Sequence, residues 1–200
     1  MKNYTIKKVT NTIDWEAVPT LNIDCQLWGT DTDIKAWAQI CYDEKGFYVH
    51  MSAEEKEIRA EIKAPLGLVC YDSCLEFFFC PDENDPRYLN FEINPNCFTF
   101  IGVSYCRNDN TRICPAKEEE LFRKQSRYTE KGWEVFYTIP MEFLRVIFPG
   151  CVLRSGRTIR ANCYKCGDKT SDPHYLAWNP IGSDTADYHL PQYFGTMVLE

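Results

Sequence analysis

The chain has 200 residues, 44% hydrophobic and 26% charged, and its 22 Lys and Arg against 29 Asp and Glu give a formal net charge of −7. That ordinary globular balance excludes intrinsic disorder and collagen-like structure, and the acidic excess argues against nucleic-acid binding, which runs on phosphate neutralisation by Lys and Arg. No apolar run approaches the ~20 residues that span a bilayer, so no membrane partner is expected. In chain order, residues 1–11 are basic but have no apolar stretch behind them, unlike an export signal. Strands are expected over 36–42 and 47–53 around the turn Asp43-Glu44-Lys45-Gly46, then over 58–63, where Ile58, Ala60 and Ile62 alternate with charged residues. Strands over 73–80 and 88–94 flank the turn-rich run 81–86, and Asn94-Pro95-Asn96 precedes a strand over 97–105. The charged run 117–124 suits helix or loop. Strands over 121–128 and 133–139 follow, then a short helix over 141–148 stopped by Pro149-Gly150, and last strands over 158–166 and 196–199. Many strands, short turns and little helix predict an all-β chain: a single antiparallel β-sandwich of the jelly-roll or immunoglobulin-like two-sheet kind, with residues 1–200 as one domain. Period-two phase puts Leu75, Phe77, Phe79, Phe91, Ile93, Ile159 and Ala161 inside.

Eleven cysteines without an export signal, several of them in apolar runs (Cys41, Cys74, Cys80 and Cys163), predict reduced thiols and a cytoplasmic protein. The Asn3-Tyr4-Thr5 sequon then has no meaning. Cys163 and Cys166 form one C-x-x-C, Cys70 and Cys74 a C-x-x-x-C, and His174 follows eight residues after Cys166. Structural zinc usually shows two regular ligand pairs, so no metal is expected. No nucleophile motif, phosphate loop or dinucleotide fingerprint is present.

Two carboxylates stand out. Glu76 shares a strand face with Cys74 and Phe78, and Glu92 shares one with Asn90 and Asn94. On neighbouring strands the two could point the same way, which fits either sugar hydroxyl binding or glycoside hydrolysis by paired carboxylates. Arg160, Asn162 and Tyr164 line the polar phase of a late strand. The run 166–180 after it reads as a loop rich in groups that hydrogen-bond hydroxyls. Trp15, Trp28, Trp37 and Trp133 lie beside apolar runs and read as packing residues. Trp178, polar-flanked and near prolines, reads as a ring presented to a ligand, with Glu76, Asn90, Arg160 and Asn162 as the floor of its pocket.

Four blocks in order resemble the family 9 carbohydrate-binding modules, including those appended to bacterial endo-xylanases. They are Tyr71-Asp72-Ser73-Cys74-Leu75-Glu76-Phe77-Phe78-Phe79, Tyr88-Leu89-Asn90-Phe91-Glu92-Ile93-Asn94, the run from Asn162 to Thr170 with His174-Tyr175-Leu176-Ala177-Trp178-Asn179, and Phe194-Gly195-Thr196-Met197-Val198-Leu199. The resemblance implies a β-sandwich that binds a mono- or oligosaccharide without cleaving it, a terminal sugar being clamped between aromatic rings. By motif, Trp178 matches the later ring, Glu76 the sugar-binding carboxylate, and Asn179 lies beside the ring. The upstream Trp of those modules has no counterpart; Tyr71 is the nearest aromatic. Calcium is implied by the resemblance alone, since no loop here has calcium-ligand spacing, and no other cofactor is expected. The alternatives are a small glycan hydrolase using Glu76 and Glu92, or a sandwich that docks a protein partner.

Overall fold

The computed structural model describes residues 1–10 and 12–200. Its strands are β1 (Asn3–Lys8), β2 (Thr20–Ile23), β3 (Cys25–Gln26), β4 (Lys35–Asp43), β5 (Gly46–Glu54), β6 (Cys74–Cys80), β7 (Tyr88–Ile93), β8 (Thr99–Ser104), β9 (Thr111–Arg112), β10 (Gln125–Tyr128), β11 (Gly132–Pro140), β12 (Thr158–Cys166), β13 (Tyr175–Ala177) and β14 (Gly195–Leu199); the helices are α1 (Glu118–Phe122) and α2 (Met141–Ile147). They form one curled sheet in the order β10-β11-β5-β4-β1-β14-β12-β6-β7-β8-β9, with β2 on β4 and β13 bridging β12 and β3.

The expected purely antiparallel arrangement is corrected at one strand. β1 pairs in parallel with β14 through Asn3–Ile6 and with β4 through Lys7 and Lys8, so it stitches two antiparallel halves into a mixed sheet. The halves face each other across an apolar core. Phe77 and Phe79 of β6 meet Phe47, Val49 and Val135 there, and the Phe47 and Phe79 rings lie 5.6 Å apart, edge to face. All seven residues expected inside belong to this core. α1 and α2 close one end, where Phe122 and Phe143 meet edge to face at 5.0 Å.

The 58–63 segment is not a strand. Its backbone is held by side chains instead: Ser73 Oγ accepts from the Arg59 amide, Asp72 from the Ile62 amide, and the Asn94 and Asn96 amides donate to the Ile62 and Ala60 carbonyls. Side chains can substitute for a ladder whenever they satisfy the same backbone groups. The strand expected from residue 121 begins only at Gln125, because Leu121 and Phe122 finish α1 and Arg123 turns the chain with φ of 48°.

The run 166–180 is not all loop. β13 pairs with β12 (Lys165 opposite Leu176, Tyr164 opposite Ala177), and the Trp178 amide donates to the Cys163 carbonyl. Alternation then sends Leu176 and Trp178 into the core and Ala177 to the outer face.

A buried lysine anchors the loop before β13. Lys165 is fully buried, and its ammonium lies 2.9 Å from the Cys166 carbonyl, 2.6 Å from His174 Nε2 and 3.2 Å from the Glu55 carboxylate. The Trp133 indole and the Ser73 hydroxyl also donate to Glu55. Burial, followed by the Lys165 charge, lowers the His174 pKa to about 4. The neutral ring donates from Nδ1 to the Asp172 carbonyl and accepts from Lys165 at Nε2.

Candidate functional site

The outer face of the β8-β7-β6-β12 half carries most of the expected polar residues. Directly opposed residues point the same way in an antiparallel pair, so the register maps the face in rows. One row runs Tyr164, Glu76, Glu92, Phe100; the next runs Asn162, Phe78, Asn90, Gly102; Cys166 stands opposite Cys74 at one end and Arg160 opposite Cys80 at the other. The side-by-side placement of Glu76 and Glu92 expected from strand phase is therefore present.

Segment 181–194 covers half of this face. Tyr188 stacks on Tyr164 at 4.0 Å, His189 packs on Phe78, and Phe194 meets Tyr88 edge to face. His189 Nδ1 lies 2.8 Å from the Tyr88 hydroxyl. On the rest of the face Glu76, Glu92 and Asn90 are buried, and the charges of Arg107, Arg112 and Asp168 act on the two carboxyls. The Arg112 guanidinium lies 4.5 Å from the Phe100 ring centroid, and Lys169 Nζ lies 3.7 Å from that of Tyr71.

These buried residues form an ordered polar network. Asn90 donates to Glu92 at 2.9 Å, and Asn110 donates to Asn90 at 3.3 Å. The Cys166 thiol donates to Glu76 at 3.0 Å. Burial, and then the neighbouring Glu92 charge, pushes the Glu76 pKa well above the carboxylate range. Burial also raises Glu92, to about 7, against the Asn90 hydrogen bond and the positive field of Arg107. Asp168 is raised as well, again by burial. A buried pair of adjacent carboxyls resists double ionisation, because two neighbouring charges cannot both be solvated there. One more group bears on metal binding: a donor atom from each of Cys74, Glu76 and Cys166 lies within 4.8 Å of the other two.

The other expected site residues are distributed differently. Trp178 is 3% exposed, its ring 6.4 Å from that of Tyr4 and close against Gly195, on the core side of the sheet and opposite to Glu76. The expectation that it walls the pocket is corrected by β13, whose pairing turns the ring inward. Asn162 and Asn179 form a staple: Asn162 donates to the Asn179 carbonyl and accepts from its amide at 2.8 Å, while the Asn179 side chain holds the Tyr193 carbonyl and the Lys2 amide. Their polar groups are spent on backbone. Arg160 is exposed and donates to the Pro191 carbonyl. Tyr71 is half-buried in the short turn before β6. Glu76 and Asn90 are thus brought together with Glu92, which strand phase had singled out, and with Asn110, which it had not; the charge of Arg107, also unselected, acts on the two carboxyls.

Among the tryptophans Trp133 packs as expected, but Trp178 is more buried than the other three expected to pack. Trp133 and Trp178 are buried, whereas Trp15, Trp28 and Trp37 are half-buried. Trp15 and Trp37 flank His50 on the opposite half of the sheet. A separate open groove of about 1150 Å³ lies near Glu57, Tyr128, Glu130 and His174. It is lined by both acidic and basic residues and contains none of the expected site residues.

A family model described as carbohydrate-binding family 9 matches residues 7–199. Among solved structures, a candidate carbohydrate-binding protein from Bacteroides uniformis superposes with a TM-score of 0.85 at 27% identity, covering 100% of this chain and 99% of that one. A family 9 module from Caldicellulosiruptor kristjanssonii in complex with cellotriose gives 0.71 at 13% identity over 100% and 94%, and the same organism's module in complex with glucose gives 0.71 at 13% over 100% and 96%. No protein of curated function matches the chain.

Proposed function

The chain belongs to carbohydrate-binding family 9, and from that membership we propose that it is a non-catalytic binder of a mono- or oligosaccharide, residues 1–200 acting as one unit. The ligand sits on the outer face over Glu76, Glu92 and Asn90. The observation that carries this placement is the row of Glu76 and Glu92, with Asn90 bonded to Glu92. A protonated carboxyl both donates and accepts, as a sugar hydroxyl does, so facing carboxyls match vicinal hydroxyls in either direction. Arg107 and Asp168 supply polar contacts, and the half-exposed rings of Tyr71 and Tyr175 offer apolar edges to a pyranose. The Caldicellulosiruptor modules bound to glucose and cellotriose support glucose and its short oligomers as first ligands to try. The test is a glycan array followed by calorimetry on the hits. Glu92→Gln and Arg107→Ala should each weaken binding about tenfold, the cost of one lost hydrogen bond, while Tyr128→Ala leaves it unchanged. Loss of binding in Tyr128→Ala alone would move the site to the large groove.

A second reading, glycoside hydrolysis, is favoured by one observation: Glu92 is poised near pH 7 beside a second carboxyl. Against it, the two side chains stand side by side on one buried face, whereas hydrolysis needs them to flank a scissile bond. Release of an aryl leaving group from glycosides, abolished in Glu92→Gln, would establish this reading.

A further inference from the structure

We propose that Cys74, Cys166 and Glu76 form a binding site for a thiophilic divalent cation of the zinc class, built across the β6–β12 pair on the outer face of the sheet. The inference shares Glu76 with the proposed sugar site but rests only on strand register and donor distances.

The argument begins with register. Cys74 and Cys166 are directly opposed on neighbouring antiparallel strands, so both thiols leave the sheet on the same face. Glu76 is two residues from Cys74 and therefore shares that face. The three donor atoms lie within 4.8 Å of one another, and Cys166 Sγ is 3.0 Å from the Glu76 carboxylate. Zinc bonds thiolate at about 2.3 Å and carboxylate at about 2.0–2.2 Å in a tetrahedron. Donors held this close surround such an ion with small adjustments of side-chain torsion. All three are at most 2% exposed, and their backbones are held in the β6–β12 ladder, where Cys74 and Cys166 are the last pair at one end.

The donor chemistry selects the cation. Two thiolates with one carboxylate favour zinc and its congeners over calcium or magnesium, which take oxygen. Binding replaces up to three protons, two from thiols and one from the carboxyl, with one dication; site and ion together then carry a single negative charge. Three protein donors leave a fourth position. Cys70 is half-buried in the short turn Val69–Tyr71, and its carbonyl is 3.8 Å from Cys166 Sγ, which makes this turn the way in.

The C-x-x-C spacing is not the ligand pair. Cys163 belongs to the inner core and Cys166 to the outer cluster, as period two requires of residues three apart on a strand.

The probe is Co²⁺, titrated into chelator-treated, reduced protein and followed by its thiolate charge-transfer absorption, with Zn²⁺ added last. The expected result is one saturable site per chain, displaced by Zn²⁺. Its band should be lost in Cys74→Ser and in Cys166→Ser but unchanged in Cys114→Ser, which alters an exposed thiol. Glu76→Gln should keep the band but weaken binding by at least about 100-fold, more than changes to outer-shell groups typically cause. Circular dichroism melts run alongside, and Zn²⁺ should raise the melting temperature of the unmodified chain. Should either serine variant fail to fold, Glu76→Gln decides the matter, since unchanged Co²⁺ affinity there overturns the proposal. So does the absence of a saturable band in the unmodified protein, or a band that follows Cys114.

Discussion

Replacing Trp178 by alanine separates a packing residue from a ligand-facing ring. Trp178 is 3% exposed and packs against Tyr4, whose hydroxyl lies 2.6 Å from the Pro19 carbonyl and 3.0 Å from the Ile40 amide, tying β1 toward β4. It also seals against Gly195, where an added Cβ would come within 2.6 Å of the indole. Truncation therefore opens a cavity at the junction of β1, β13 and β14, where backbone pairing restricts collapse. Trp→Ala in a core costs about 3–5 kcal/mol. For a chain of this size each kcal/mol lowers the melting temperature by roughly 2–4 °C, so a fall on the order of 10 °C is expected. Urea unfolding followed by fluorescence and by far-ultraviolet circular dichroism gives the free energy directly, with the midpoint falling and the slope little changed. A melting temperature within about a degree of the parent, together with lost sugar binding, would refute this placement and return the ring to the binding site.

Glu55→Gln should destabilise by about 3–5 kcal/mol, because it leaves the Lys165 ammonium buried without its carboxylate; chemical denaturation measures this. Asn162→Ala should cost about 1–3 kcal/mol, since the Asn179 amide and carbonyl lose their buried partner, and melts of the variant report it. Acid should weaken the fold through two histidines. The pKa values of His174 and His189 are lowered to about 4, by burial first and then by Lys165 and Arg107 respectively. Their stabilisation is whole above the ordinary value of 6.5 and is lost as pH falls toward 4, at no more than about 1.4 kcal/mol per pH unit for each. Glu92, raised to about 7, acts in the opposite sense, favouring the fold as pH drops from 7 to 4.5. The comparison with His189→Gln isolates the histidine: its melting temperature should fall less than the parent's between pH 6.5 and 4.

What could be read from the sequence followed strand phase. In β6, β7 and β12 the alternation is unbroken, so Phe77, Phe91 and Ala161 were legible as interior and Glu76 and Asn90 as their opposites. The parallel pairing of β1 was not. Tyr4 and Ile6 do alternate with polar neighbours, but a six-residue alternating pattern says nothing about which distant strand it joins. β13 was hidden because its three residues sit in a run full of Asp, Ser, Pro and Asn, where local composition suggests loop; its pairing with β12 and β3 overrode that composition. Trp178 was misplaced for that reason and because it matched an aromatic position of the family motif. The opposition of Cys74 and Cys166 was invisible too, because register between strands ninety residues apart is a tertiary property.

The seam made by β1 also imposes an order of events on a chain emerging from the ribosome. Asn3 through Ile6 find their partners only at Thr196 through Leu199. At elongation rates of about 5–20 residues per second, the amino-terminal strand waits roughly 10–40 seconds for the strand it must join. Meanwhile β4, β5 and β11 can assemble with β1 paired to β4 only by its last residues, Lys7 and Lys8, leaving the rest of its sheet edge unsealed. Such an edge is open to pairing with other chains, so the vulnerable interval in this protein's life is the one before residue 196 is made, and a partner that occupies that edge would act during synthesis rather than after it.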